Sequence, residues 1–187
     1  LNLITINPSE DLGGTLDFSA ERAQRNLKLG YYDALSTIKK YSGRYYYIIA
    51  NQPDDYFLQF FLNLSQEGVQ KLAKILGFPD NIPYRRLLFE KIIPRLSDIL
   101  GLVQSTSYKD IFISLVEKAA LYCKIDKFRI YDFDELLNLV LQNYHITSET
   151  ISDKIPRIFK QSEIVIKSVK EQLFPEIVSV FVSELKK

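Results

Sequence analysis

Residues Ile4 to Tyr47 read ITINPSEDLGGTLDFSAERAQRNLKLGYYDALSTIKKYSGRYYY, and the order of elements in this stretch decides the fold class. Leu1, Leu3, Ile4 and Ile6 leave little polar surface, the pattern of a short strand covered on both faces. Asn7-Pro8-Ser9 breaks pairing, and Asp11-Leu12-Gly13-Gly14 supplies turn residues. Ser19 stands where an N-cap belongs. From there Ala20, Ala23, Leu27, Tyr31, Ala34, Leu35 and Ile38 recur at helical spacing, predicting a long amphipathic helix that ends at Ser42-Gly43. Strand, loop and helix in this order form the edge of an α/β unit. A lone strand cannot satisfy its backbone or cover both faces, and the other clear strand candidate nearby is Tyr45 to Ile49. The chain starts at Leu1 and contains no Met, so it is expected to be a processed or partial product whose first strand closes a sheet lying upstream.

The segment NPSEDLGGTLDFSAERAQRNLKLGYYDAL followed by GRYYYI resembles the closing part of the bacterial patatin-like phospholipases. There a terminal strand ending in a Pro-Ser turn leads through LGGTLDF to a helix with a GY-D-L motif and an aromatic cluster. The resemblance covers residues 3 to 50, about a quarter of the chain. It implies a parent serine acyl hydrolase with a Ser–Asp dyad, the nucleophile in a G-x-S-x-G elbow and the Asp in D-G-G or D-G-A. Neither motif is present. None of the seven glycines begins a G-x-S-x-G, and Asp11 is separated from Gly13 by Leu12, so the catalytic Asp is not carried over to Asp11. In the family both motifs lie upstream of the matched region, as a C-terminal portion requires. No catalytic, cofactor-binding or metal-binding residue is therefore assigned in this chain.

With 187 residues, 47% hydrophobic and 25% charged, the chain can bury one sizeable core. Twenty-four basic against 23 acidic residues leave a net charge of +1, which offers no electrostatic footprint for nucleic acid. The longest uncharged stretch, Leu136 to Ser148, is too short and too polar for a membrane span. The single cysteine, Cys123, excludes an internal disulfide framework and fits a reducing, cytoplasmic setting.

Beyond Ala50 the pattern becomes helical. Asn51 to Pro53 mark the expected boundary between residues 1–50, the edge of an α/β domain, and residues 52–187, an α-helical domain. Pro53-Asp54-Asp55 opens the aromatic helix Tyr56 to Leu62, and Ser65-Gln66-Glu67 opens another that ends at Gly77. After a turn at Phe78 to Pro83, a helix containing Pro94 runs to Gly101. Tyr108 to Lys124 and Asp132 to Tyr144 follow, then a final pair from about Lys154 to Leu185 kinked at Pro175.

Several residues invite a chemical reading and receive a structural one. Ser36-Thr37-Ile38-Lys39 has S-x-x-K spacing without companion motifs and reads as a solvated helix face. Asp132, Asp134 and Glu135 lack the Gly and distant Glu of a calcium loop and read as a helix cap and first turn. His145, the only histidine, suits a helix C-terminus. Cys123, beside Lys124, reads as a packed thiol. Tyr45 to Tyr47 with Tyr56, Phe57, Phe60 and Phe61 read as core, with an apolar lip over an acyl groove as the functional alternative. The Lys154 to Leu173 segment pairs lysines with an apolar stripe, a pattern that covers a core or lies on anionic lipid.

The expectation is a mainly α chain, a helical bundle following a remnant strand–loop–helix edge of a patatin-like α/β domain. Its partners are an upstream hydrolase domain and peripheral anionic lipid, with no nucleic acid and no cofactor. The alternative is an autonomous helical protein-interaction module with no hydrolase link.

Overall fold

The computed structural model describes residues 3–14, 19–79, 81–103, 106–144 and 163–187, with the backbone alone for 163–172. The chain is mainly α. Helix α1 (Ala20–Lys39) leads to strand β1 (Tyr47–Ile49), α2 (Asp54–Leu62) and α3 (Gln66–Leu76). A continuous helical run follows, made of α4 (Tyr84–Arg86), a π-helical segment (Leu87–Ile92) and α5 (Ile93–Leu100). Then come α6 (Tyr108–Tyr122), β2 (Ile130–Asp132), α7 (Phe133–Asn143) and α8 (Glu163–Leu185).

Local chemistry sets most of these boundaries. Ser19, Ser65 and Ser107 each accept a hydrogen bond from the backbone N–H three residues on, at 3.3, 3.0 and 3.1 Å, and so satisfy donors that a helix start leaves open. Asp132 caps α7 through the N–H of Asp134 at 3.0 Å, the role expected of it. Gly77 and Gly101 end α3 and α5 in the left-handed region, as their placement predicts. The π-helical segment has a cause in Pro94, which lacks an N–H and crowds the carbonyl four residues earlier. The helix responds by widening, and Ile93 donates to the Leu88 carbonyl five residues back.

The core is one continuous cluster. Phe57, Phe61, Phe112 and Phe133 are fully buried at its centre, joined by Phe181 from α8, and the Phe60 ring stacks on Phe112 at 4.3 Å. Tyr46, Ile48 and Ala50 belong to the same cluster, so apolar packing is continuous across Asn51–Pro53. The aromatic helix α2 thus spends Phe57 and Phe61 on the core, while Tyr56 and Phe60 pack against it half-buried.

Strand β1 pairs in parallel with β2, Tyr47 opposite Ile130 and Ile49 opposite Asp132. Alternation along β1 sends Ile48 into the helical core and Tyr47 toward α1, where its ring stacks on Tyr32 at 5.0 Å. Helix α1 and the segment before it are therefore laid on the outside of the sheet.

Five expectations are corrected. The described part of the opening segment, residues 3–8, forms no strand, and Leu3 and Ile4 are 86% and 65% exposed, because no second strand lies beside it among the described residues. The Tyr45 to Ile49 strand is the shorter Tyr47–Ile49, its first residues being drawn into a turn. Helix α1 stops at Lys39, with Lys40 in the left-handed region at φ 57°, rather than at Ser42-Gly43. The described end of the chain is one helix, α8, with Pro175 inside it, rather than a pair. Helix α1 also faces the opposite way to the one its apolar spacing suggests: Leu29 and Asp33 are buried, while Leu27, Tyr31 and Ile38 are exposed. His145 and residues 154–162 of the basic segment lie outside the described residues.

Phe112 contacts the rings of Phe57, Phe60, Phe61, Phe133 and Phe181, so its removal leaves a void that several rigid rings cannot fill. Phe112→Ala is expected to destabilise the chain by about 3–5 kcal/mol, measured by urea unfolding.

Candidate functional site

The polar residues that fix this fold gather where α1, the turn before β1 and α6 meet. Helix α6 is apolar over Ile111, Phe112, Leu115, Val116, Ala119 and Ala120, and among them stands Glu117, only 1% exposed. Its Oε1 accepts three consecutive backbone N–H groups, from Arg44, Tyr45 and Tyr46, at 2.8, 2.7 and 2.8 Å. The turn that aims three donors at one point requires Gly43. Its φ is 95°, and a Cβ there would lie 2.6 Å from both Glu117 Oε1 and the Tyr46 carbonyl oxygen. Ser42 and Ile48 then close the turn with a reciprocal pair of backbone bonds at 2.8 and 3.1 Å.

Burial pushes the Glu117 carboxyl above its ordinary value, against the N–H groups of Arg44, Tyr46 and Tyr45 and the Lys118 charge, which pull it down. Lys118, half-buried beside it, sets its Nζ 4.5 Å from the Tyr45 ring centroid and 5.6 Å from that of the core residue Phe174.

A second carboxylate, Asp33, is 5% exposed on the inner face of α1. Its Oδ1 accepts the Tyr47 hydroxyl and its Oδ2 the backbone N–H of Ser9, both at 2.9 Å. Burial, then the bond to Asp33, raise the Tyr47 phenol far above its ordinary value, so it stays a donor. Glu10, beside Ser9, bonds both Arg25 and Lys127. Burial raises its carboxyl, yet Lys127 and Arg25 together hold it below the ordinary value. The Leu12 carbonyl accepts from Asn26 Nδ2 at 2.9 Å. Residues 9–12 are thus tied to α1 and to Lys127, while residues 3–6 project.

Asp134 accepts from the Tyr56 hydroxyl at 2.7 Å and from Gln52 Nε2 at 3.1 Å, and burial with this bond pushes the Tyr56 phenol up to about 12. Cys123 is half-buried at the end of α6, and burial raises its thiol against a weaker pull from Lys186, the opposite of an activated cysteine. Lys39 is exposed and no bond joins it to the half-buried Ser36, so the S-x-x-K spacing forms no dyad. Among the described residues no group of three or more His, Cys, Asp or Glu can hold a metal ion, and no helix is long and apolar enough to cross a membrane. Two open grooves flank α1. One of about 520 Å³ at its N-terminus is lined by Asp11, Glu21, Arg22 and Arg25, and one of about 450 Å³ by Leu27, Tyr31, Tyr32 and Phe128.

The arrangement is one of acceptors and donors that hold elements in place. Sequence reading misses Glu117 and Asp33, although each carries a trace: an acid inside the apolar run of α6, and an acid one turn from Leu29 inside GYYDAL. It also misses β2, signalled only by the short β-branched and aromatic run Ile130-Tyr131 before the Asp132 cap.

Glu117→Ala leaves three buried N–H groups without an acceptor and is expected to cost at least about 3 kcal/mol, whereas Glu117→Gln keeps an acceptor oxygen and costs less. The pair also separates the pH effect. An acid whose value is raised by folding binds its proton more tightly in the folded state. Wild type is therefore expected to lose stability relative to Glu117→Gln as pH rises from the ordinary value of 4.5 through the raised one, seen in thermal melts across that range. Comparison of the chain with family models, with curated proteins and with solved structures finds no match.

Proposed function

We propose that this chain is the non-catalytic C-terminal portion of a patatin-like lipid acyl hydrolase. In this reading residues 1–50 are the edge of the hydrolase domain and residues 52–187 a helical region that shields or positions it and touches anionic lipid peripherally at the cytoplasmic side. The observation that carries it is the segment before α1. Leu3, Ile4 and Ile6 are apolar and exposed, while Ser9, Glu10 and Leu12 immediately after them are fastened to Asp33, Arg25, Lys127 and Asn26. An apolar run presented from a fixed base, with no strand beside it among the described residues, fits a strand that completes a sheet supplied from elsewhere. The family resemblance over residues 3 to 50 supports the same assignment.

A second reading, an autonomous helical interaction module, is favoured by the single cluster of buried residues that runs from Tyr46 to Val182.

The two readings differ in what lies before Leu1. The first expects a coding sequence with a G-x-S-x-G after a strand, then D-G-G or D-G-A. It also expects the 187-residue chain to hydrolyse neither a p-nitrophenyl ester nor a phospholipid above background, and to take up no fluorophosphonate, while the longer protein is labelled stoichiometrically. Labelling of the 187-residue chain, or an upstream sequence without the elbow, overturns it.

A further inference from the structure

The outer face of α1 goes beyond this reading and does not depend on it. Ala20, Gln24, Leu27, Tyr31, Ala34 and Ile38 follow one another at alternating steps of four and three, the spacing of a coiled-coil seam. Leu27, Tyr31 and Ile38 are 75%, 64% and 61% exposed, so the seam faces away from the protein's own core. Tyr31 is set edge-on against Tyr32 at 5.3 Å, which fixes its ring in the outward position. One flank of the seam is made of Ala23 and Gly30. Glycine is poorly suited to a helix interior, and nothing within 4 Å of Gly30 would meet a Cβ, so the fold itself gives no reason for it. Close approach of another helix gives one. The other flank carries Glu21 and Lys28, seven residues apart and opposite in charge, both exposed and in no ion pair among the described residues.

We infer that the outer face of α1 docks an antiparallel second copy of the same helix, making the chain a two-fold symmetric dimer. In that register the Ala20 to Tyr31 part of the seam is paired, Ala34 and Ile38 lie beyond the partner's helix start, and the charges complement each other: Glu21 faces the partner's Lys28, and Lys28 faces the partner's Glu21. Large side chains meet small ones, since Tyr31 lies over the partner's Ala20. Ala23 passes the partner's Gly30, where two backbones can come close. Leu27 lies beside the partner's Gln24, a polar residue within the seam that fixes alignment. The interface is isologous, so it closes at two chains.

Sedimentation equilibrium of the 187-residue chain from low to high micromolar concentration tests this. Wild type is expected to form a dimer whose dissociation constant rises about tenfold or more in Leu27→Lys and in Gly30→Leu, with helical content and melting cooperativity retained because both sites are exposed. Glu21→Lys is expected to weaken the dimer, and Glu21→Lys with Lys28→Glu to restore it, since the exchanged charges again face opposite partners. A chain that stays monomeric throughout, a dimer indifferent to Leu27→Lys, or a double charge exchange no tighter than Glu21→Lys alone overturns the inference. Fluorophosphonate labelling is silent on this face, so the two proposals stand or fall separately.

Discussion

The three hydrogen bonds from Arg44, Tyr45 and Tyr46 to one oxygen of Glu117 are the constraint on which the rest of the structure depends. They join residues more than seventy positions apart, and they do so at the point where the chain passes from the outer layer into the core. A turn with three consecutive N–H groups pointing inward would be costly beneath apolar helices, at about 1–3 kcal/mol for each unmet donor. Placing one carboxyl at their focus removes that penalty and fixes where β1 begins. Tyr46 and Ile48 then enter the core while Tyr47 points to α1. Gly43 belongs to the same device, because no other residue fits beside the Glu117 oxygen.

The same chemistry recurs wherever distant segments are fixed. Asp54, at the start of α2, accepts the N–H of Lys109 in the first turn of α6 at 2.8 Å. Glu184, near the end of α8, accepts the N–H of Ser65 at 2.8 Å, and its side chain lies so close to Gly68 that a Cβ there would stand 2.7 Å away. In both cases an acid meets a helix start, where unpaired N–H groups and the helix dipole favour negative charge. Asp33 likewise accepts a distant backbone N–H, that of Ser9, although Ser9 lies in a bend and starts no helix. The apolar core, aliphatic and aromatic together, supplies the burial, but burial is not directional. The carboxylates decide which turn meets which helix.

This division explains what was legible in the sequence. Helix starts at Ser19, Ser65, Ser107 and Asp132 and ends at Gly77 and Gly101 are written locally, since a cap and its target lie within three residues. The mainly α class and the core role of Phe57 and Phe61 follow from spacing and composition. Glu117 and Asp33 were not legible as anchors, because their partners lie 71–73 and 14–24 residues away and nothing local marks the match. Strand β2 is three residues long and owes its existence to β1, which no window around Ile130 contains.

The reversal of α1 follows from the same competition. Periodicity reads the Leu27, Tyr31 and Ile38 stripe as the buried face, and burying such side chains is worth roughly 1.5–3 kcal/mol each. The helix nevertheless turns Leu29, Tyr32 and Asp33 toward the sheet. Two observations account for the choice. Tyr47 must face outward from β1, because Tyr46 and Ile48 on either side of it are committed to the core, and its hydroxyl then needs an acceptor that only a polar face can give. Glu10 and Ser9 bind to that face as well, through Arg25 and Asp33. A helix turned the other way would bury its apolar stripe but leave the Tyr47 hydroxyl and the Ser9 N–H without Asp33. The polar matches set the orientation, and the apolar stripe is left to whatever lies beyond the chain's own core.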